Sequence, residues 1–308
     1  MTARLGAAAL LAGLLAGCAT TSNSPQSCKI GRLVDLPLLQ GGKLPAVEAS
    51  LDGQKVAVYI DTGAFVSIID RKAAQHFNLR SGPEQGMVRL GGAGGTVNAP
   101  LVTIHRLVLG GGAARNLELP VAGALGPPVD GVPLLGLFGG DFLSNYDVDI
   151  DLPRHRFAMY VMQGCGNDPR PLGDAAFEMP FRLHETKVML DLSLNGKPFS
   201  GFLDSGASHT LVSPSQAEAA GVTSADLAAD RAGRAAGLDG NRIAAHLHRF
   251  ASLTIGDETM RNVRLLVADT ALNDIVLGDD FLHYNEVWIS YPQRRLYIRP
   301  APSVTRVP

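Results

Sequence analysis

Residues 59–70 read YIDTGAFVSIID. One carboxylate, Asp61, stands between two runs that each look like buried strand. A buried acid is costly unless it is paired or hydrogen-bonded, so the stretch implies a partner. Elsewhere in the chain the same stretch returns. Residues 202–213 read FLDSGASHTLVS, which places Asp204 143 positions after Asp61. The register holds upstream without a gap: VDLPL from Val34 lies over FEMPF from Phe177, and ASLDGQKVAVYID from Ala49 over LSLNGKPFSGFLD from Leu192. Both copies carry a two-residue hairpin signal at the same place, Asp52-Gly53 and Asn195-Gly196.

Downstream the copies continue with small gaps. LVLGGGAARNLELPV from Leu107 matches LTIGDETMRNVRLLV from Leu253, and LFGGDFLSNYDVDIDLPRHRFAMY from Leu137 matches VLGDDFLHYNEVWISYPQRRLYI from Val276. The duplication therefore predicts one lobe over 33–162, a Gly/Pro/Asp-rich linker over 163–175, a second lobe over 176–300 and a tail over 301–308. Short strands and frequent turn residues (35 Gly, 19 Pro) favour an all-β fold. The expected architecture is two pseudo-twofold-related, β-barrel-like lobes, each with a flap hairpin and a short helix. Ser213, Pro214 and Gln216 sign the start of one helix, closed by Gly221, and Asp70 caps RKAAQHFNL in the first copy.

If the lobes pack about a twofold axis, Asp61 and Asp204 meet. Two acids a few Å apart cannot both ionise cheaply, so they share one proton: one acts as base, the other as acid. A water between them can then attack a polarised peptide carbonyl with neither metal nor cofactor. Gly63 and Gly206 make room for backbone amides to approach the carboxylates, and Thr62 and Ser205 supply hydroxyls to bond across the axis.

These motifs resemble the pepsin/retropepsin superfamily of aspartic proteases, in a single-chain, two-lobe bacterial form. DTGA (Asp61 to Ala64), DSGA (Asp204 to Ala207) and the later apolar-apolar-Gly motifs Leu137 to Gly139 and Val276 to Gly278 carry the resemblance. It implies an aspartic endopeptidase with catalytic Asp61 and Asp204, acting on peptide or protein substrates as a monomer. It also implies flaps, with Gly91, Gly92, Gly94 and Gly95 in the first and Asp239 and Gly240 in the second. Two flaps and alanine at 64 and 207 follow the retroviral pattern, and neither flap segment carries the aromatic residue of the pepsin flap. The alternative function is a catalytically silent envelope scaffold that binds a peptide or cell-wall fragment in the same cleft.

The N-terminus adds an address. One cation, Arg4, precedes an apolar run from Leu5 to Ala16, too short to span a bilayer and suited to a signal peptide over 1–17. Leu15 to Cys18, LAGC, resembles the bacterial lipobox. This implies lipidation at Cys18, a tether over 18–32 and a periplasm-facing protein anchored to the outer membrane; an ordinary secretory signal is the alternative. Cys28 and Cys165, an even pair in an exported chain, are expected to form one bridge, with two free thiols as the alternative. With a net charge of −2 and no Lys/Arg-rich run, nucleic acid is not an expected partner. DVDID (Asp147 to Asp151) has acids at alternate positions, but Leu152 stands where a calcium loop needs glycine and Ala158 where it needs an acid, so it reads as a strand with a solvent-facing acidic side; Trp288 reads as core.

Overall fold

The computed structural model describes residues 28–81, 84, 86–92, 95–165, 169–236, 242–270 and 272–302. The signal peptide, Cys18, most of the tether, Gly94, Asp239 and Gly240 lie outside the described residues.

The hairpin signals set the start of each lobe. Leu51 pairs with Gln54 across Asp52-Gly53, and Leu194 with Lys197 across Asn195-Gly196. All four turn residues have positive φ (48°, 91°, 50° and 76°), as a two-residue turn matching strand twist requires. In lobe one the sheet runs Ile68–Ile69, Leu134–Phe138, Gln54–Ile60, Ala46–Leu51, Gly95–Leu109, Met87–Gly92, with Gly112–Pro120 on the far side of Gly95–Leu109. Lobe two repeats the plan as Arg182–His184, Lys187–Leu194, Lys197–Leu203, Ile275–Leu277, Leu211–Val212, Glu258–Ala268, Arg242–Ile255, Arg231–Ala236. In each lobe the strand that ends at the aspartate pairs in parallel with the strand of the later apolar-apolar-Gly motif: Ile60 opposes Phe138, and Leu203 opposes Leu277.

Both expected caps form. Asp70 accepts from the N–H groups of Lys72 and Ala73 ahead of helix Arg71–His76, while its other oxygen accepts from Leu125. Ser213 and Gln216 form a reciprocal capping box on helix Pro214–Ala219. Among the described residues no helix is long and apolar enough to cross a membrane.

A third sheet joins the lobes, with three strands from each: Lys29–Pro37, Arg156–Gln163, Asp147–Asp151, Asn285–Ser290, Arg295–Pro300 and Phe177–Pro180. Val148 opposes Ile289 and Ile150 opposes Val287, so the pseudo-twofold axis passes through the Asp149–Trp288 pair. One apolar core runs through both lobes, from Val56 and Ile60 to Leu203, Ile275 and Val287.

Two expectations are corrected here. The strand beginning at Lys29 takes residues 29–32 out of the tether and into this sheet, where Cys28 is disulfide-bonded to Cys165. The acidic side of DVDID does not face solvent: Asp147, Asp149 and Asp151 are each 1–2% exposed. Alternation sets which residues share a face, but not what covers that face. Here Leu172 from the segment between the copies packs with Trp288 and Tyr297, and Tyr160 stacks on Trp288 at 4.3 Å. Arginines compensate the acids. Arg156 bonds Asp149 at 2.7 Å, and Arg154 bridges Asp151 and Glu286, both at 2.9 Å. Burial, then the charge of Glu286, still pushes the Asp149 carboxyl up to about 7.

Candidate active site

The two aspartate loops face each other at the lobe interface. Each leaves its strand under backbone control: Asp61 N–H donates to Phe138 C=O (3.0 Å) and Asp204 N–H to Leu277 C=O (2.9 Å). The loops then grip one another through four buried hydrogen bonds. Thr62 N–H donates to Ser205 Oγ (3.1 Å) and Ser205 N–H to Thr62 Oγ1 (3.0 Å). Thr62 Oγ1 donates to Leu203 C=O (3.0 Å) and Ser205 Oγ to Ile60 C=O (2.8 Å). The two hydroxyls thus bond across the axis.

The glycines do more than admit amides. Gly63 and Ala64 N–H groups donate to Asp61 Oδ1 (3.0 and 2.9 Å), and Gly206 N–H donates to Asp204 Oδ1 (2.8 Å). A Cβ on Gly63 would collide with the Asp204 carboxylate, and one on Gly206 with that of Asp61. Each glycine therefore leaves the space that the opposite acid fills, and the two carboxyls come within bonding reach. The glycines of the later motifs have a similar reason: a Cβ on Gly139 or Gly278 would enter the backbone of the loop it passes beneath.

A second matched network braces the loops from outside. Ser67 N–H and Oγ donate to Asp141 Oδ1 (2.8 and 2.6 Å), and Thr210 N–H and Oγ1 donate to Asp280 Oδ1 (2.8 and 2.5 Å). In turn Gly139 N–H donates to Ser67 Oγ and Gly278 N–H to Thr210 Oγ1. Sequence reasoning missed this brace, although both copies carry its residues at matched positions: a hydroxyl six after each aspartate and an acid two after each later glycine.

Asp61 is 3% exposed and Asp204 is half-buried. Burial raises the pKa of Asp61, and the negative charge of Asp204 adds to it, against hydrogen bonds from Ala64 and Gly63. Burial also raises Asp204, opposed by the Gly206 amide and then by the positive charge of Lys187. A third acid stands nearby. Asp279, aligned with Gly140 in the first copy, is pushed up to about 8 by burial, then by the charges of Asp204 and Asp280. Neither Lys187 nor Asp279 emerged from the sequence reading; the signal was where the copies differ.

Of the flap residues, Gly91, Gly92 and Gly95 lie at the end of one hairpin, with Gly91 opposite Thr96 and Gly92 opposite Gly95. The second hairpin pairs Arg231–Ala236 with Arg242–Ile255. His209 is exposed, and His248 bonds Asp230 at 2.6 Å. Among the described residues no group of three or more His, Cys, Asp or Glu side chains is arranged to hold a metal ion.

Two family models match, one in each lobe. A model described as "gag-polyprotein putative aspartyl protease" covers residues 47–145, which include Asp61 and the Leu137–Gly139 motif. An aspartyl protease model covers residues 190–281, which include Asp204 and the Val276–Gly278 motif. Among curated proteins none matches the chain. With each lobe matched around its own aspartate, the chain belongs to the retropepsin-like aspartic protease superfamily.

Proposed function

We propose that the protein is an aspartic endopeptidase in which Asp61 and Asp204 activate water for attack on a peptide bond. The observation that carries this reading is the reciprocal fit of the two loops, in which each glycine clears the volume taken by the opposite carboxyl. A fold that only presents a surface has no use for two acids pressed together at a desolvated interface at such cost. With one proton shared, the ionised carboxylate takes a proton from water as its oxygen adds to the scissile carbonyl carbon. The protonated carboxyl gives its proton to the carbonyl oxygen. Collapse of the resulting diol passes a proton to the leaving nitrogen and breaks the C–N bond, giving an acid and an amine.

Both half-sites belong to one chain, which supports a monomeric enzyme whose specific activity is unchanged on dilution. The lipid anchor and the periplasmic site of action are proposals resting on LAGC and the preceding apolar run alone. The testing experiment is incubation with a peptide library across pH. The wild type should cleave, while Asp61→Asn and Asp204→Asn should each lose activity, and the double variant should be no worse than either. Undiminished cleavage by one single variant would refute the dyad.

A further inference from the structure

The twofold relation makes the two aspartates equivalent, but their neighbours are not. In lobe one, Leu44 is buried beside Tyr59 in an apolar cluster. The aligned positions in lobe two, 143 residues on, are Lys187 and Phe202. Lys187 Nζ lies 4.2 Å from the centroid of the Phe202 ring and 4.6 Å from that of Phe65. Phe202 lies two residues before Asp204 in the strand Lys197–Leu203 that runs into the aspartate, and Asp204 N–H continues the ladder onto Leu277 C=O. Phe65 comes from the other lobe, from the Asp61 loop, and its aligned residue in lobe two is Ser208. The neighbouring Thr186 fixes the arrangement by donating from Oγ1 to Phe65 C=O at 3.3 Å, and Gly140 packs against it because any Cβ there would strike the threonine. The ammonium is thus held between rings from both lobes by the attraction of a cation for an aromatic face.

We propose that Lys187 is a positioning residue of the dyad, making Asp204 its ionised member and Asp61 the carrier of the shared proton. The proposal rests on the endopeptidase reading for its catalytic meaning, in which Asp204 would then deprotonate the water and Asp61 polarise the substrate carbonyl. The charge of Lys187 acts on Asp204 to favour ionisation, whereas the charge of Asp204 acts on Asp61 to favour its proton. Among the described residues, the other charged groups around the site do not supply this bias. Asp279, beside Asp204, would oppose it, and burial keeps that acid protonated below about pH 8. Asp141 and Asp280 are each engaged by a hydroxyl and an amide in matching positions. His184 meets Phe65 edge-on at 6.2 Å from the exposed side, and Glu185 and His209 are exposed.

The test is a carboxyl NMR titration of the full-length protein carrying 13C-labelled aspartate, with signals assigned from Asp61→Asn and Asp204→Asn. In the wild type the lower-pH step should belong to Asp204. Lys187→Met and Lys187→Gln, two uncharged variants that keep most of the stem, should raise that step by about one pH unit. Lys187→Arg, which keeps the charge over the rings, should leave it near the wild-type position. A lower step belonging to Asp61, or one unmoved in a folded uncharged variant, overturns the proposal. Peptide cleavage is read on the same samples. A moved step with no cleavage by any of them would uphold the role of Lys187 while refuting the endopeptidase reading, so the two failures are separable.

Discussion

Thr62→Val removes one hydroxyl at the lobe interface and changes little in shape. The hydroxyl makes two buried bonds, accepting from Ser205 N–H and donating to Leu203 C=O. With valine in place, both backbone groups remain buried and lose this partner, and neither can reach water because Ser205 and Leu203 are each 0% exposed. At about 1–3 kcal/mol for each unsatisfied group, the variant should lose about 3 kcal/mol of stability. Ser205→Ala removes the mirror-image pair and should cost a similar amount. The double variant should cost less than the two singles combined, because the bonds of one residue order the backbone that the other uses. Equilibrium urea unfolding of the three variants and wild type gives these differences directly. Thr259→Val, at an exposed hydroxyl pair with Thr254, is the control and should move stability by no more than about 0.5 kcal/mol. A Thr62→Val loss as small as the control's, or strict additivity with Ser205→Ala, would refute the account of the grip as a coupled, desolvated network.

The raised carboxyl of Asp61 makes stability depend on pH. Below the unfolded value of about 4 there is no penalty; as pH rises from there, folding must hold a proton that the unfolded chain releases, and stability falls until the folded pKa is passed. Asp61→Asn should therefore raise Tm by about 3 °C or more at pH 8 and scarcely at pH 4, as read by calorimetry. Ser213→Ala breaks the capping box and should cost about 1 kcal/mol in urea with no change in the pH profile of cleavage. Reducing the Cys28–Cys165 bridge, which closes a loop of 137 residues, should cost about 2–4 kcal/mol, while alkylation of unfolded, unreduced protein should find neither thiol free.

The duplication made much of this legible in advance. Asp61, Asp204, the grip of Thr62 and Ser205 and both helix caps follow from local patterns that repeat, and repetition turned three weak residues into a strong signal. What escaped were features that depend on what lies across a packed interface. The acidic side of DVDID looked solvent-facing because alternation says nothing of the Leu172 segment folded over it. Lys187 sits on the first residue of an ordinary strand, and only tertiary packing sets it between Phe65 and Phe202. Asp279 was hidden for the opposite reason: it lies in a motif read for its likeness to the first copy, and its importance lies in the difference from Gly140.

The pair on the pseudo-twofold axis bears on how such a chain can descend and be engineered. In a true homodimer, the residue on the axis must oppose itself. Here Asp149 opposes Trp288. Two copies of the first half would bring one buried carboxylate against its twin, with like charges directly across a strand pair. Two copies of the second half would bring two indoles together in a space now shared with a slimmer residue. With both halves in one polypeptide this position is free of self-complementarity, and the two copies carry different residues there. Severed halves should therefore reassemble with each other and not with themselves, giving an obligate heterodimer from a fold whose plan is symmetric.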